Sequence, residues 1–180
     1  MVDGANEDPT QPSNVGSKED PAQYVTEAPT PSVPTPPTGS TGTITIDKTS
    51  EIPGAGGIRI ATENLAAFNA MVAAAQKDGI NLLPISSGWR DPQQQIALRK
   101  KNCPDWQNSP SSACKPPTAK PGTSNHEKGN AVDFGTMCYA KGTVPSCPGN
   151  ARWEWLRKNA QNFKFYQLPS EAWHWSTTGG

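Results

Sequence analysis

The amino-acid sequence predicts an α+β fold: one globular domain, residues 44–180, behind a disordered Pro/Thr/Ser-rich segment, residues 1–43. Three observations carry this reading. Helix-period and strand-like segments follow one another without a strand–helix–strand rhythm, which points away from a parallel sheet. All six tryptophans lie after residue 43, so the side chains able to build a core are gathered there. No apolar run of about 18 residues exists, so nothing in the chain is expected to span a membrane.

The first segment holds eight of the 19 prolines, and its six acids face Lys18 alone. It has too little apolar surface to offset the entropy of ordering a chain. Its stretch "APTPSVPTPPTGSTG" reads as an extended, polyproline-like spacer. A spacer of this kind ahead of a domain is common in tethered extracellular enzymes. The "MVDG" start is compatible with the loss of a leader or anchor. The remaining residues, about 137 of the 180, are enough for one core.

Along the domain, "TITIDKTSEI" (43–52) alternates apolar and polar residues and reads as a strand or an extended arm. A helix is expected from Thr62, as its cap, to Asp78. Leu65, Phe68, Val72 and Ala75 would face inward, and Gly79 would end it. "INLLPISSGWR" reads as a buried strand running into a glycine turn. Asp91 before Pro92 is a cap with proline at the first helical position, opening a helix through about Lys101. A Pro/Ser-rich loop follows, then "GTSNHEKGNAVDFG" as turn plus strand. "NARWEWLRKNAQNF" is expected as a helix capped by Asn150, with Trp153, Leu156 and Ala160 inside. "FKFYQL" and "AWHWS" close the chain as short strands.

The four cysteines, Cys103, Cys114, Cys138 and Cys147, form no C-x-x-C pair and have no histidine at finger-like spacing, which argues against a cysteine zinc site. Neighbouring cysteines bracket two loops, so disulfides 103–114 and 138–147 are the favoured pairing of the three possible. Disulfides imply an oxidising compartment, hence an extracellular or cell-wall-associated protein.

Only two histidines occur in the chain, His126 and His174. Asp133 lies in the apolar run "AVDF", where a carboxylate wants a cation or several hydrogen bonds. His174 stands between Trp173 and Trp175, so in a strand the two indoles face the core and the imidazole the other side. Two imidazoles and a carboxylate are sufficient protein ligands for a catalytic zinc, with a fourth position left for water. Glu171, three residues before His174, would be free to take a proton from that water.

The blocks S-x-H-x-x-G-x-A-x-D (Ser124, His126, Gly129, Ala131, Asp133) and E-x-W-H-W (Glu171, Trp173, His174, Trp175) resemble those of the VanY-like zinc D-alanyl-D-alanine carboxypeptidases. These are grouped with lysostaphin-type peptidases and the hedgehog signalling domain. "SGWRDPQQQ" resembles the same family's S-G-Y-R-S-x-x-x-Q, and "WLRKNAQNFKF" its W-L-x-x-N-A-x-x-F-G-F. The match runs in order from about residue 60 to 176. It implies a small antiparallel sheet flanked by helices, with Zn2+ on His126, Asp133 and His174 and Glu171 as catalytic base. Arg90 and Ser124 would hold the free carboxylate of the substrate, and Gln95, with Gln94 as the alternative, would line the site. A guanidinium forks onto a carboxylate through two parallel hydrogen bonds, which suits a peptide ending in D-alanine.

The sequence departs from that pattern in places. Trp89 replaces Tyr, keeping an aromatic wall. Asp91 follows Arg90 where Ser is usual, and is expected to cap the helix rather than pair with Arg90. Lys164 stands where Gly is usual, and glycine-only backbone conformations are costly there. Gly129 and Ala131 are expected to keep side chains out of the metal cleft. The short "YQLPS" before Glu171 points to an open cleft on that side.

The expected activity is therefore removal of the C-terminal D-alanine from peptidoglycan stem peptides. An endopeptidase or L,D-carboxypeptidase on the same scaffold is the alternative within enzymes, and a non-catalytic zinc-containing cell-wall binding module the alternative outside them. The domain's positive excess, about +5, is spread out apart from "RKK" at 99–101, which argues against nucleic-acid binding and is compatible with an anionic cell wall. A monomer is the expected state.

Overall fold

The computed structural model describes residues 42–135, 137–138 and 146–180, all within one compact unit, Pro34–Gly180. The expected disordered segment, residues 1–43, lies almost wholly outside the described residues. Among the described residues, two small antiparallel sheets form. β1 (Thr49–Glu51) pairs with β2 (Arg59–Ala61). The second sheet has the order β3 (Ile85–Ser87), β4 (Ala131–Phe134), β6 (His174–Ser176), β5 (Tyr166–Gln167), antiparallel throughout. Helices α1 (Thr62–Lys77), α2 (Pro92–Asn102) and α3 (Ala151–Asn159) complete the mixed fold that the element pattern predicts.

The core collects Phe68, Met71 and Ala75 of α1, Trp153, Trp155 and Leu156 of α3, Val132 and Phe134 of β4, and Trp173 and Trp175. Phe68 stacks on Phe134 at 6.3 Å and meets Phe165 edge-on at 5.7 Å, joining helix to sheet. Leu65 and Val72 are only partly buried at its margin. Trp155 is buried although the spacing of Trp153, Leu156 and Ala160 does not include it.

Caps set the helix ends. Asp91 accepts from the backbone N–H groups of Gln93 and Gln94, and its own N–H donates to Gln94 Oε1, a complete capping box. Asn150 caps α3 as expected. Thr62 does not cap α1: the cap position is Ala61, without a side-chain bond, and the Thr62 hydroxyl meets Ser50 Oγ instead. Pairing of β1 with β2 runs up to Ala61, so the strand hands over to the helix one residue early. Gly79, at φ +75°, ends α1 in the left-handed region that glycine enters freely.

The strands are shorter than the apolar runs suggest. Ile46–Lys48 makes a 3-10 turn before β1. "FKF" is not strand: Phe163 ends a 3-10 turn and Lys164 adopts φ 63°, ψ 29°. A lysine thus occupies the left-handed turn where glycine is easier, at a cost of about 1 kcal/mol. Both expected disulfides, Cys103–Cys114 and Cys138–Cys147, are formed. Among the described residues no helix is long and apolar enough to cross a membrane.

Candidate metal centre and catalytic cleft

Three side chains from two separated stretches converge. β4 and β6 pair so that Asp133 lies directly opposite His174, and side-chain alternation sends both to the same face. Trp173 and Trp175, of opposite parity, go to the core. His126 arrives from a turn, not a strand. Its backbone N–H donates to Ser124 Oγ (3.2 Å), and its carbonyl accepts from Gly129 N (3.0 Å) and Arg90 N (3.2 Å).

The donor atoms are close. His174 Nδ1 is 2.9 Å from Asp133 Oδ1 and 3.3 Å from His126 Nε2, which is 3.3 Å from Asp133 Oδ2. His126 Nδ1 faces the Gly88 carbonyl at 2.7 Å. The proton of a neutral imidazole therefore belongs on Nδ1, and Nε2 presents a lone pair. A lone pair facing a carboxylate and a second imidazole nitrogen needs a proton or a cation between them. A tetrahedral ion with bonds of about 2.0–2.1 Å has donor–donor edges of about 3.3–3.4 Å, close to the observed spacings. The trio is thus a fit for one divalent ion. Two imidazoles and a carboxylate suit zinc among the common metals. Burial alone would raise the Asp133 carboxyl, but in the absence of an ion, protonated imidazoles, His126 above all, hold it well below the usual range. It is ready to ligate without first losing a proton.

A cleft of about 310 Å³ gathers Arg90, Gln95, Ser124, His126, Glu171 and His174. All the residues that the motifs single out as catalytic or substrate-binding are in its lining. Glu171 lies in the tight connection between β5 and β6: its N–H donates to Leu168 O (2.9 Å) and its carbonyl accepts from His174 N (3.3 Å). Burial pushes its carboxyl above the ordinary value, partly countered by His174 and reinforced by Asp133. A carboxylate of raised basicity beside a metal group is what a general base requires.

Arg90 is aimed by two partners, Gln95 Oε1 at 2.6 Å and Ser87 Oγ at 3.1 Å. Gln95 Nε2 is itself fixed on Ala119 O at 2.7 Å. This resolves the two glutamines: Gln95 is buried in the cleft, whereas Gln94 belongs to the capping box. Asp91 likewise serves the cap.

Two expectations need correction. Gly129 does not clear the cleft. It adopts φ +65°, and a Cβ there would meet Ala61 N at 2.7 Å and Ala61 Cβ at 2.8 Å; the glycine lets this turn pack against the start of α1. Trp89 does not line this cleft; it faces a neighbouring groove.

The motifs also passed over polar residues that hold the cleft together. Glu127 is fully buried, and its Oε2 accepts from Gly122 N (2.8 Å) and Ser124 N (3.3 Å), tying the turn that carries Ser124 and His126. Arg99 is fully buried and donates to the carbonyls of Trp106 (2.6 Å), Thr118 (2.6 Å) and Ser109 (2.7 Å). With Gln95 and Asn102, which reaches Thr118 Oγ1, it forms a polar stripe at i, i+4, i+7 on α2. That spacing was visible in the sequence, but hydropathy assigns such a face to solvent.

Comparison with known proteins gives a family and a fold. The sequence profile of the VanY family, described as D-alanyl-D-alanine carboxypeptidase, matches residues 57–179. Among solved structures, the chain is similar to a mutant of the vancomycin-resistance D,D-pentapeptidase VanY from a VanB-type resistance cassette, in complex with Zn(II). Identity is 22%, over 73% of this chain and 78% of that one, with a TM-score of 0.53. VanYB in complex with D-alanine-D-alanine is also 22% identical, over 72% and 76%, with a TM-score of 0.54. The LdcB LD-carboxypeptidase is 23% identical, over 72% and 65%, with a TM-score of 0.50. No curated protein sequence is significantly similar to the chain.

Proposed function

The chain belongs to the VanY family of D-alanyl-D-alanine carboxypeptidases, and from that premise we propose that it removes the terminal D-alanine from peptidoglycan stem peptides as a zinc enzyme outside the cytoplasm. One observation carries the reading: a carboxylate anchor, both histidines of a candidate metal group and a carboxylate of raised basicity line one cleft. The two disulfides support the compartment.

His126, Asp133 and His174 would hold the ion. When bound, zinc supplies Lewis acidity that polarises a carbonyl and acidifies water. Arg90 and Ser124 receive the substrate's terminal carboxylate, the guanidinium held in place by Gln95 and Ser87. This fixes the bond to be cut relative to the metal group and disfavours peptides lacking the carboxylate. The Glu171 carboxylate takes the proton of the attacking water and passes it to the leaving amine, whose C–N bond breaks.

The deciding experiment is mass spectrometry of a stem pentapeptide incubated with the protein, with and without a chelator. Loss of one terminal alanine, stopped by the chelator and restored by zinc, is the expected result. An unchanged peptide in the presence of zinc-loaded protein would overturn the proposal.

A further inference from the structure

The turn that carries His126 and the loop that carries Arg90 are joined directly. Gly88 O faces His126 Nδ1 at 2.7 Å, and Arg90 N donates to His126 O at 3.2 Å. A third segment, with no part in the mechanism above, joins the same pair. Ile44, which precedes β1, donates its N–H to Glu127 O at 3.0 Å, and its carbonyl accepts from Trp89 Nε1 at 3.3 Å. Its side chain lies against Gly129, where an added Cβ would meet Ile44 Cδ1 at 2.8 Å. One half-buried residue thus holds the neighbour of a candidate metal ligand and the neighbour of the carboxylate anchor.

We propose that Ile44 is a positioning residue of the catalytic cleft: by bridging Glu127 and Trp89 it keeps the His126 imidazole and the Arg90 guanidinium in working register. The roles of those two side chains rest on the carboxypeptidase reading; the bridge rests on the geometry alone. Peptide units are rigid, so a displaced Glu127 or Trp89 carries its neighbour with it. The residue at which the Pro/Thr-rich spacer gives way to the domain is therefore part of what supports the site.

The other supports of the two loops bear elsewhere. Ala61 N donates to Gly129 O at 3.0 Å, Thr177 N to Asn130 O at 2.9 Å, and Asn64 Nδ2 to Asn130 Oδ1 at 3.0 Å. These fix the end of the turn, whereas Ile44 acts on the residue next to the imidazole. On the other loop, Trp89 N donates to Arg59 O at 2.6 Å, and a Cβ on Gly88 would lie 2.3 Å from that same oxygen. The loop backbone is thus pressed against β2, and the indole ties it to the arm. Arg90 lines both the catalytic cleft and a neighbouring groove of about 680 Å³, and Trp89 lies on the groove side. Its contribution to the reaction passes through Arg90 and not through contact with substrate. Supports of this kind matter because residues behind a metal ligand change metal affinity by about 10–100-fold, and a substrate misplaced by about 1 Å reacts about 100-fold more slowly.

The test uses three variants of the full chain. I44P removes the N–H that Glu127 accepts, W89F removes the indole donor but keeps a ring, and I44V keeps both backbone groups. Zinc affinity is measured by competition with a chelating dye, kcat and KM on a stem pentapeptide, and amide hydrogen exchange by mass spectrometry. I44P should bind zinc about tenfold more weakly and exchange faster over residues 122–130, with α3 as in the parent. W89F should raise KM about fivefold, the worth of one neutral hydrogen bond, with kcat and zinc affinity within about twofold. I44V should match the parent throughout. Parental zinc affinity in I44P, parental KM in W89F, or exchange that rises in α3 as much as in the turn would overturn the bridge. Should I44P fail to fold, KM in W89F against I44V decides in the same way. If the parent neither binds zinc nor cuts the peptide, the functional reading fails. Exchange in I44P then decides the bridge alone: a rise confined to residues 122–130 supports it, and no rise sinks it.

Discussion

The two walls of the cleft are built by different means. On the metal side, Asp133 and His174 are placed by strand register, with the backbone ladder between β4 and β6 fixing both side chains at once. On the opposite side, α2 grips an irregular chain from Trp106 to Ala119 through side-chain donors onto backbone carbonyls, helped by the Cys103–Cys114 disulfide. A ladder tolerates change in any side chain that does not face the core. A wall held by a few buried polar side chains does not, because each removed donor leaves a carbonyl without a partner. Chemistry and stability should therefore separate between the walls.

The sharpest test lies on the metal side. E171A should lower kcat by about 10³-fold or more while metal content and melting temperature stay at the parent values. Loss of metal or of stability in this variant would mean that Glu171 is structural. On the other wall, R99M should cost about 3 kcal/mol, since three buried carbonyls lose a charged donor, and lower Tm by roughly 10 °C in a calorimetric scan. An unchanged Tm there would break the comparison. R90K keeps a charge but loses the fork, and should raise KM by about 30-fold, the worth of one charge-assisted bond, with kcat within about threefold; a fall in kcat alone would place Arg90 outside ground-state binding. The smallest effect belongs to D91A, which removes the α2 cap and should cost about 1 kcal/mol in urea unfolding without altering KM.

Much of the metal side was legible in the sequence. Alternation around His174 separates imidazole from indoles in a strand, whatever that strand pairs with, and an acid within "AVDF" advertises a need for a cation. The caps at Asp91 and Asn150 were legible for the same reason, being local hydrogen bonds between neighbours in the chain. Thr62 misled because β2 pairing extends to Ala61 and displaces the cap. Glu127 and Arg99 misled because charge and polarity signal exposure until a fold supplies buried backbone partners.

By itself, then, the sequence determined what depends on near neighbours: the α+β pattern, helix starts, the local disulfide pairs, and the motifs that resemble the family. Only tertiary structure decided that Asp133 and His174 sit across one ladder with His126 beside them. Only it decided that Gly129 serves packing, that Gln95 rather than Gln94 enters the cleft, and that Arg90 separates two cavities. Those outcomes depend on contacts between residues far apart in the chain, which periodicity within a single segment does not encode.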